Sequence, residues 1–426
     1  MTTLVIGAAV SGRAASALLR ANGEEVVLYD ADPSALDGAD ADRAHGGAWD
    51  PALLDGIALV VTSPGVPEHA PPLRDALAAG LPVWSELELG YRHLDAPVAA
   101  VTGTNGKTTV TGLAARMLQA SGLRAAAIGN IGEPVSAAVG GTWDALVVEA
   151  SSFQLRFVET FRANAAVLLN VAPDHLDWHT SYSKYAAAKA RILERQTPDD
   201  VVTYDADDPG ASKLVAAATA RRVPVSGTRL PRDGWGRDGD RLRLGDVSIP
   251  LADLPRRDSV MLVDIAAAAV AAAHLGATPE GILEAARGFV AGPHRRQVVG
   301  VWDGVTWIDD SKATNPHAAV AAIRDHDSVV LIAGGRNKGL DVSAIPLEPN
   351  LRLVVAVGEA AAELAASGGS VKVAESLEEA VAVADEASVA GDTVLLAPGC
   401  ASFDMFRSYA ERGNEFSALV RSRKEP

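Results

Sequence analysis

The chain is poor in cysteine and in basic residues. Its 426 residues include a single cysteine, Cys400, so no intrachain disulfide can form and a reducing compartment is expected. Acidic residues outnumber basic ones by 54 to 38, which gives a formal net charge of −16. This balance argues against nonspecific nucleic-acid binding, which needs a basic face. An anionic ligand would have to be held by local glycine loops and a few cations.

The sequence also lacks a long apolar run. The alanine-rich stretch 265–275 is short for a membrane span and carries His274 at its end, so a buried helix is expected there. Residues 1–4 enter an apolar strand at once, without the basic and apolar regions of a secretory signal. We therefore expect a cytoplasmic protein.

The length predicts two or three domains. Three segments differ in their patterns, and we place them at 1–96, 97–292 and 293–426. Strand and helix patterns alternate in each, which predicts an α/β fold of mostly parallel sheets. Within the central segment, residues 229–251 change to Gly, Asp and Arg with short alternating pieces, which predicts an antiparallel β insertion.

The strongest signal is the glycine-rich turn G-T-N-G-K-T-T at residues 103–109. It follows an apolar strand and precedes a helix predicted over 110–120. Such a turn presents backbone N–H groups and the positive end of a helix to the phosphates of a nucleotide. Lys107 is expected to reach the outer phosphates, and Thr108 to bind Mg²⁺. The usual spacing has a glycine where this chain has Val101, so the loop is a shortened variant.

Other polar residues follow later strands of the central segment. Glu149 ends an apolar strand, where a carboxylate beside a phosphate-loop strand can bind Mg²⁺; a surface glutamate is the alternative. The loop 170–177 contains His175, which is either a metal or substrate contact or a solvated histidine. Lys189 lies in a helix predicted over 185–196, and composition alone predicts an exposed cation.

The first segment begins with a β-α-β unit. A tight turn at 7–12 precedes a helix over 13–22, and Asp30 ends the next strand, where an acidic residue would contact a ribose. As a dinucleotide fingerprint the turn is weak, because Ala9 occupies its second glycine position. A further turn at 63–66 also follows a strand, at the edge where open α/β sheets bind ligands. A purely structural domain is the alternative.

Polar loops also follow three strands of the third segment, at 309–316, 334–339 and 397–404. Because the carboxyl ends of parallel strands meet at one sheet edge, these loops predict one shared site. The Pro-His-Arg-Arg sequence at 293–296 suits phosphate binding at the domain join. Cys400 has no histidine beside it and is expected to be a small packing residue.

Together these motifs resemble those of the Mur ligases of peptidoglycan synthesis, most closely of the ligases that add D-glutamate. The resemblance covers essentially the whole chain. It rests on residues 103–109, 129–132, 149–154, 174–177, 187–189, 292–295, 310–315, 334–338, 400–402 and 412–416.

The resemblance implies a three-domain protein. A Rossmann-like N-terminal domain would hold the uridine diphosphate of the substrate, a central phosphate-loop ATPase-like domain would bind ATP, and a C-terminal Rossmann-like α/β domain would complete the ATP and amino-acid sites. It implies an ADP-forming ligase that activates UDP-N-acetylmuramoyl-L-alanine as an acyl phosphate and joins it to D-glutamate. It further implies two Mg²⁺ ions, a carbamylated lysine, small-molecule substrates only, no membrane insertion and a monomer.

The resemblance also assigns roles to individual residues. The expected catalytic residues are Lys107, Glu149, His175 and Lys189. The expected ATP-binding residues are Gly103, Thr104, Asn105, Gly106, Lys107, Thr108, Thr109, Arg295 and Asp310. The expected residues for the UDP substrate are Val10, Ser11, Asp30, Ser63, Gly65, Asn130, Ser151, Gln154 and His175. The expected D-glutamate residues are Lys312, Thr314, Lys338, Ser402, Phe403 and Tyr409. The expected metal ligands are Thr108, Glu149, His175 and Lys189 as its carbamate.

The chain departs from the family pattern at a few positions. Ala9 replaces a glycine in the first turn, and Met261 and Asp264 stand where relatives carry two asparagines. The loop before Lys338 lacks an acidic residue that some relatives have, and Asp341 follows it instead.

Other functions remain open from the sequence. A related ligase could use L-glutamate or a folate substrate, although folylpolyglutamate synthetases usually show G-T-N-G-K-G-S. A non-catalytic ATP-binding relative would be expected to have lost Lys107, Glu149 or Lys189, and all three are present. A dinucleotide oxidoreductase, suggested by the first turn and Asp30, would leave the phosphate loop unexplained.

Overall fold

The computed structural model describes residues 1–425, and within this range the main strands form three sheets. The chain divides into two compact units. Unit one comprises residues 1–172 and 178–289, and unit two comprises residues 173–177 and the chain from 290 onward. The first two sheets lie in unit one and the third in unit two. The α/β class is thus confirmed, whereas the boundaries at 96/97 and 292/293 stay predictions.

The first sheet is parallel and is formed near the N-terminus. Its elements are β1 (Thr2–Ile6), α1 (Val10–Ala21), β2 (Glu25–Asp30), β3 (Arg43–Gly46), β4 (Leu59–Thr62), α2 (Pro71–Ala78), β5 (Val83–Ser85) and α3 (Glu86–Tyr91). The strand order is β3-β2-β1-β4-β5, so the order reverses between β1 and β4. Such a reversal opens a crevice at the carboxyl ends of the two strands, which is where open α/β sheets bind ligands.

Helix α1 begins at Val10, three residues earlier than predicted, so the turn before it is shorter than 7–12. Gly12 explains the difference: a Cβ atom there would lie 1.7 Å from the carbonyl oxygen of Gly7. Only glycine lets the first helical turn pack this closely on the end of β1.

The second sheet contains the phosphate loop. Its elements and neighbouring helices are β6 (Val98–Thr102), α4 (Lys107–Ala120), β7 (Ala125–Gly129), β8 (Ala145–Glu149), α5 (Ser152–Arg156), β9 (Ala165–Leu168), α6 (Leu176–His179), α7 (Tyr182–Ala190), β10 (Val201–Asp205), α8 (Pro209–Val215), β11 (Arg221–Ser226), β12 (Trp235–Asp238), β13 (Arg241–Leu244), β14 (Val247–Pro250), α9 (Ser259–His274) and α10 (Pro279–Arg287). The order is β14-β13-β12-β11-β10-β9-β6-β8-β7. Strand β6 therefore lies between β8 and β9, which brings the ends of all three strands together.

The predicted antiparallel β insertion is confirmed, since β12, β13 and β14 pair as antiparallel hairpins. Because β12 also pairs in parallel with β11, the hairpins extend the central sheet. One helix prediction in this region needs correction. The helix predicted over 185–196 instead runs over Tyr182–Ala190, because the Ser181 hydroxyl accepts the backbone N–H of Lys184 and starts it early. A 3₁₀ turn follows at Arg191–Leu193.

Helix α9 is buried along almost its whole length, as the alanine-rich sequence predicts. None of the helices within residues 1–425 combines the length and apolarity needed to cross a bilayer.

The third sheet forms the core of unit two. Its elements are β15 (Gln297–Trp302), β16 (Val305–Asp309), α11 (Pro316–Ile323), β17 (Val329–Gly334), β18 (Leu351–Val357), α12 (Ala361–Ala366), β19 (Val371–Val373), α13 (Leu377–Ala387), β20 (Thr393–Gly399) and α14 (Tyr409–Lys424). The order is β15-β16-β20-β17-β18-β19, with only β15 antiparallel to its neighbour. The strands β16, β20 and β17 are adjacent, so the three predicted polar loops follow neighbouring strands.

Candidate active site

The phosphate loop is tied to the strand beside it. The backbone N–H of Thr104 donates to the carbonyl oxygen of Asn170 (2.9 Å), and that of Asn105 donates to the Asn170 side-chain oxygen (2.8 Å). Gly106 has φ +86° and directly precedes helix α4, where no side chain caps the helix. Nucleotide phosphates commonly bind at such an uncapped helix start, where backbone N–H groups and the positive end of the helix meet.

Helix α4 begins at Lys107, three residues before the predicted start, so Lys107 and Thr108 both lie in its first turn. The Lys107 ammonium donates to the carbonyl oxygens of Gly103 (2.9 Å) and Thr104 (3.1 Å). Thr108 is exposed. Both side chains therefore sit beside the loop whose N–H groups would receive phosphate.

Two of the departures from the family pattern lie in α9, one of them close to this loop. Met261 and Asp264 are 2% and 6% exposed, respectively. A Cβ atom on Gly106 would lie 2.8 Å from both Asp264 Oδ1 and the Leu169 side chain. The Asp264 carboxylate thus packs directly against the phosphate loop, at a position that sequence reasoning marked only as a departure.

Glu149 ends strand β8 and is 2% exposed, so it is not the surface glutamate that was the alternative. Its Oε1 accepts a hydrogen bond from the Asn130 side-chain amide (2.9 Å). Its Oε2 is buried and has no hydrogen-bond partner among residues 1–425. An unpaired buried carboxylate oxygen beside a phosphate loop fits a cation such as Mg²⁺.

Protein groups alone do not make a complete metal site. Within residues 1–425, no group of three or more His, Cys, Asp and Glu side chains is placed to hold a metal ion. Mg²⁺ commonly takes one or two carboxylates and completes its shell with water and substrate phosphate. Glu149 and the Thr108 hydroxyl fit that kind of site.

Lys189 is 1% exposed, so the exposed cation that composition predicts is wrong. Its ammonium donates to the carbonyl oxygen of Gly103 (2.7 Å) and lies 4.6 Å from the centre of the Tyr185 ring. Tyr185 lies one helical turn before it on α7, and this (i, i+4) spacing places both side chains on one helix face. Tertiary contact with the phosphate loop buries this face.

Sequence reasoning missed two residues of this cluster. The Tyr185 hydroxyl hydrogen-bonds with the Thr104 hydroxyl (3.0 Å), and His179 Nε2 lies 2.9 Å from the Ser152 hydroxyl. The rings of His179 and Tyr185 meet edge to face. In the sequence, the four-residue spacing of Tyr185 and Lys189 was the one indication that Tyr185 belongs to this cluster, and nothing indicated His179.

The candidate residues for the uridine end gather at the crevice of the first sheet. Val10 and Ser11 begin α1, and the Ser63 hydroxyl donates to the Gly7 carbonyl oxygen (3.2 Å). Asp30 accepts hydrogen bonds from the backbone N–H groups of Ala8 (2.7 Å) and of Asp32 (2.9 Å). Asp30 therefore shapes the turn, and a ligand would have to share its carboxylate. Gly65 is exposed in the turn after β4.

Ser151 and Gln154 form a reciprocal cap at the start of α5, next to Glu149. Gln154 Oε1 accepts from the backbone N–H and the hydroxyl of Ser151 (3.0 and 2.9 Å). Gln154 Nε2 is buried and has no partner within the described part of the chain. A buried donor without a partner suits an oxygen-rich substrate.

In unit two, the segment 173–177 is anchored by Asp174, whose Oδ2 accepts a hydrogen bond from the Asn315 side chain (3.2 Å). His175 has φ +51°, and its backbone N–H donates to Asp174 Oδ1 (2.9 Å). His175 is therefore held in a left-handed conformation that non-glycine residues seldom adopt. Such strain is typical of functional loops.

The candidate ATP residues of unit two lie near a buried histidine–aspartate contact that the sequence did not reveal. His294 Nδ1 lies 2.7 Å from Asp309 Oδ2, and both side chains are buried. The next residue after each member of this pair, Arg295 and Asp310, is a candidate for ATP binding. Arg295 is partly exposed, and Asp310 Oδ1 accepts the backbone N–H of Arg296 (3.1 Å). The His294–Asp309 pair thus joins the two segments that carry these candidates.

The three polar loops of unit two are joined by backbone hydrogen bonds. The N–H of Gly399 donates to the Ala313 carbonyl oxygen (2.9 Å). Arg336 and Ala401 exchange hydrogen bonds in both directions (2.9 and 3.1 Å). The loops therefore form one surface, as their positions after neighbouring strands predict.

The six candidate amino-acid residues all lie on these loops or at the start of α14. The Lys312 ammonium lies 3.9 Å from the centre of the Tyr409 ring. Ser402 is buried, while Phe403 is 61% exposed. Thr314 and Lys338 are partly exposed. A lysine over an aromatic ring, with a second lysine on a joined loop, suits an anionic amino acid.

Cys400 is buried, and burial raises the pKa of its thiol to about 12. It is therefore a packing residue, as predicted, and not a nucleophile.

Comparison with known proteins matches this arrangement to one family. Two family models match, a Mur ligase middle domain over residues 101–230 and a Mur ligase, glutamate ligase domain over residues 294–400. A UDP-N-acetylmuramoylalanine–D-glutamate ligase from Frankia casuarinae is 44% identical, over 100% of this chain and 94% of that relative. A ligase of the same name from Mycobacterium avium is 38% identical, over 98% and 96%.

Solved structures agree on the fold. A pseudomurein peptide ligase type C from Methanothermus fervidus has a TM-score of 0.64 at 16% identity, covering 99% of this chain and 100% of that one. A UDP-N-acetylmuramate–alanine ligase from Thermotoga maritima has a TM-score of 0.58 at 17% identity, covering 100% of both chains. At these identities the likeness concerns the fold alone.

Proposed function

The chain belongs to the Mur ligase family, and on that premise we propose that it joins D-glutamate to UDP-N-acetylmuramoyl-L-alanine at the expense of ATP. The observation that carries the proposal is the phosphate loop with two buried groups beside it, Glu149 with its unpaired Oε2 and Lys189. Full-length relatives at 38–44% identity that carry the D-glutamate ligase name support the choice of amino acid. They do not favour a folate-type ligase or a non-catalytic relative.

The reaction needs an activated carboxylate, because a carboxylate is a poor acyl donor. An oxygen of the L-alanyl carboxylate attacks the γ-phosphorus of ATP, ADP leaves, and an acyl phosphate forms. The amine nitrogen of D-glutamate then attacks the acyl carbon and loses a proton, and inorganic phosphate leaves. Water must be excluded while the acyl phosphate exists.

The phosphate loop, Gly103 to Thr109, would hold ATP through backbone N–H groups other than those of Thr104 and Asn105, which donate to Asn170 and fix the loop. Lys107 would neutralise charge on the transferred phosphoryl group. Thr108 and Glu149 would hold Mg²⁺, which lowers the charge repulsion between the attacking carboxylate and the phosphate. We further assign Arg295 and Asp310 of unit two to ATP.

A second metal site is proposed at His175 and Lys189, with Lys189 carbamylated by CO₂. A carbamate turns a cation into an anion, so the side chain becomes a ligand of the kind that Mg²⁺ prefers. In support of this proposal, the buried Lys189 amine lies at the phosphate loop, where it donates to the Gly103 carbonyl oxygen.

The remaining candidates divide between the two organic substrates. We propose that the nucleotide sugar is held by Val10, Ser11, Asp30, Ser63, Gly65, Asn130, Ser151, Gln154 and His175. We propose that D-glutamate is held by Lys312, Thr314, Lys338, Ser402, Phe403 and Tyr409. The enzyme would act as a cytoplasmic monomer in peptidoglycan precursor synthesis.

The test is phosphate release from ATP in the presence of UDP-N-acetylmuramoyl-L-alanine and either D-glutamate, L-glutamate or no amino acid. Release that requires both the nucleotide sugar and D-glutamate is the expected result. Release that occurs with the nucleotide sugar and L-glutamate, but not with D-glutamate, would support the acyl-phosphate reaction and overturn the amino-acid assignment. A folded protein that binds ATP and releases no phosphate with any of them would overturn the proposed function.

A further inference from the structure

Arg412, near the start of α14, is a buried cation to which the proposed chemistry gives no part. It is 3% exposed. Among residues 1–425 its hydrogen bonds go to uncharged acceptors, and it forms no ion pair. Burying a guanidinium is costly, and an apolar side chain would usually fill such a space at lower cost. An arginine here is therefore best explained by the directional hydrogen bonds that its planar, forked guanidinium group makes.

One side of the fork holds the loop after β16. Arg412 Nε donates to the Ser311 hydroxyl oxygen, and Nη2 donates to the Ser311 carbonyl oxygen, both at 2.9 Å. The Ser311 hydroxyl in turn donates to the Tyr409 carbonyl oxygen (2.7 Å). Ser311 directly precedes Lys312, whose ammonium lies over the Tyr409 ring. Arg412 thus fixes the backbone on both sides of the Lys312–Tyr409 pair.

The other side of the fork holds the loop after β20. Nη1 and Nη2 both lie 3.3 Å from the Cys400 carbonyl oxygen, two residues before Ser402. The loop after β17 is close as well, since a Cβ atom on Gly335 would lie 3.3 Å from Arg412 Nη1. That loop carries Lys338 and is bridged to Ala401. All three loops therefore meet at one guanidinium.

We propose that Arg412 is a positioning residue for the amino-acid substrate, setting the spacing of the three loops that carry its binding groups. The inference rests on the proposed assignment of these loops to D-glutamate. Lysine at this position would keep the positive charge but not the forked guanidinium geometry, so it could not hydrogen-bond to several loops at once. Asp310, which we assign to ATP, adjoins Ser311, but Arg412 makes no hydrogen bond to Asp310 or Arg295. The KM for ATP should therefore change far less than the KM for D-glutamate.

The experiment compares Arg412→Lys and the milder Ser311→Ala with Arg421→Lys, an exposed arginine on the same helix. Initial rates are measured against each of the three substrates. We expect the KM for D-glutamate to rise about tenfold in Arg412→Lys and less in Ser311→Ala, with kcat and the KM for ATP nearly unchanged. A merely structural role would lower the active fraction, and hence kcat, with the same KM. That result, or an unchanged KM in both variants, would overturn the proposal.

Hydrogen exchange separates this proposal from the proposed function. In the free protein, amides of residues 311–315 and 399–404 should exchange faster in Arg412→Lys than in Arg421→Lys. Unchanged exchange would overturn the positioning role whatever the substrate is. If the wild-type enzyme uses another amino acid, the proposed substrate is wrong. The KM values of the Arg412→Lys and Arg421→Lys variants are then compared for that amino acid.

Discussion

Glu88 offers the sharpest test of the physical reasoning, because one buried carboxylate holds a whole loop. The Glu88 side chain on α3 accepts hydrogen bonds from the backbone N–H groups of Glu159 (2.9 Å), Thr160 (2.9 Å) and Phe161 (3.1 Å). The Thr160 hydroxyl (2.6 Å) and Arg92 Nε (2.8 Å) donate as well. The carboxylate is fully buried, with no exposed side-chain surface.

We predict that Glu88→Gln destabilises unit one by about 3 to 5 kcal/mol. Glutamine replaces one acceptor oxygen by an amide donor, which leaves two N–H groups facing another donor. Each unsatisfied buried group costs about 1–3 kcal/mol, and breaking a buried charged pair costs about 3–5 kcal/mol. The matched control is Glu159→Gln, since Glu159 accepts from Trp84 Nε1 and Arg92 in the same network but is 58% exposed. Its loss should cost less than about 1 kcal/mol.

The effect should also depend on pH in a defined direction. Burial alone would raise the pKa of Glu88, but hydrogen bonds from Thr160, Glu159 and Arg92 outweigh it and lower the pKa below the ordinary 4.5. A carboxyl group whose pKa is lowered by folding stabilises the folded state above its unfolded pKa, and this contribution is lost as pH falls through the folded pKa. The difference between wild type and Glu88→Gln should therefore be constant above about pH 5 and shrink in acid.

Urea unfolding of the full chain between pH 7 and pH 3.5 measures this difference, and hydrogen exchange of residues 159–161 locates it. Exchange in that loop should rise in Glu88→Gln and not in Glu159→Gln. A cost below about 0.5 kcal/mol at pH 7, or a cost that does not fall in acid, would refute the reasoning.

Four further predictions concern the candidate site. Gly106→Ala should raise the KM for ATP at least about tenfold, because φ +86° is strained for alanine and the added Cβ would meet Asp264. The control is Gly112→Ala within α4, where a Cβ would have open space. Equal effects of the two substitutions on the KM for ATP would contradict this prediction. Glu149→Gln should raise the Mg²⁺ concentration for half-maximal rate by about tenfold or more, with the exposed Glu133→Gln unchanged; equal Mg²⁺ curves would remove the metal role. Lys189→Ala should lose activity and regain part of it with short carboxylates such as acetate; full activity without them would exclude the proposed carbamate. Because the Cys400 pKa is about 12, a disulfide reagent at pH 8 should label the folded protein far more slowly than the urea-unfolded protein, and equal rates would contradict the burial.

The parts of the candidate site whose backbone the sequence predicted correctly are those set by local chain geometry. The glycine turn at 103–106 lies between strand β6 and helix α4, as its sequence predicts. The three polar loops of unit two follow the same logic, since each comes directly after a strand of one sheet. Neither prediction needs a partner that is distant in the sequence.

The parts that could not be predicted depend on partners far along the chain. Lys189 is buried by the Gly103 loop, 86 residues away, and no helical pattern reveals that contact. Arg412 meets Ser311 across 101 residues, and Glu88 meets Thr160 across 72. Helix α1 begins early because Gly12 lets it approach Gly7, a packing effect that a local pattern does not contain.

Two lysines beside the phosphate loop give a physical reason for the proposed carbamate. The ammonium groups of Lys107 and Lys189 donate to the same Gly103 carbonyl oxygen, at 2.9 and 2.7 Å, so they lie within about 5.6 Å of each other. Two like charges at that distance repel by about 3 kcal/mol at an effective dielectric constant near 20. Converting Lys189 to an anion would turn this repulsion into attraction of similar size, and Lys107 would remain the cation for phosphate. If acetate rescues Lys189→Ala, a negative charge at this position is what the site requires; if methylamine rescues it and acetate does not, the ammonium itself is the working form.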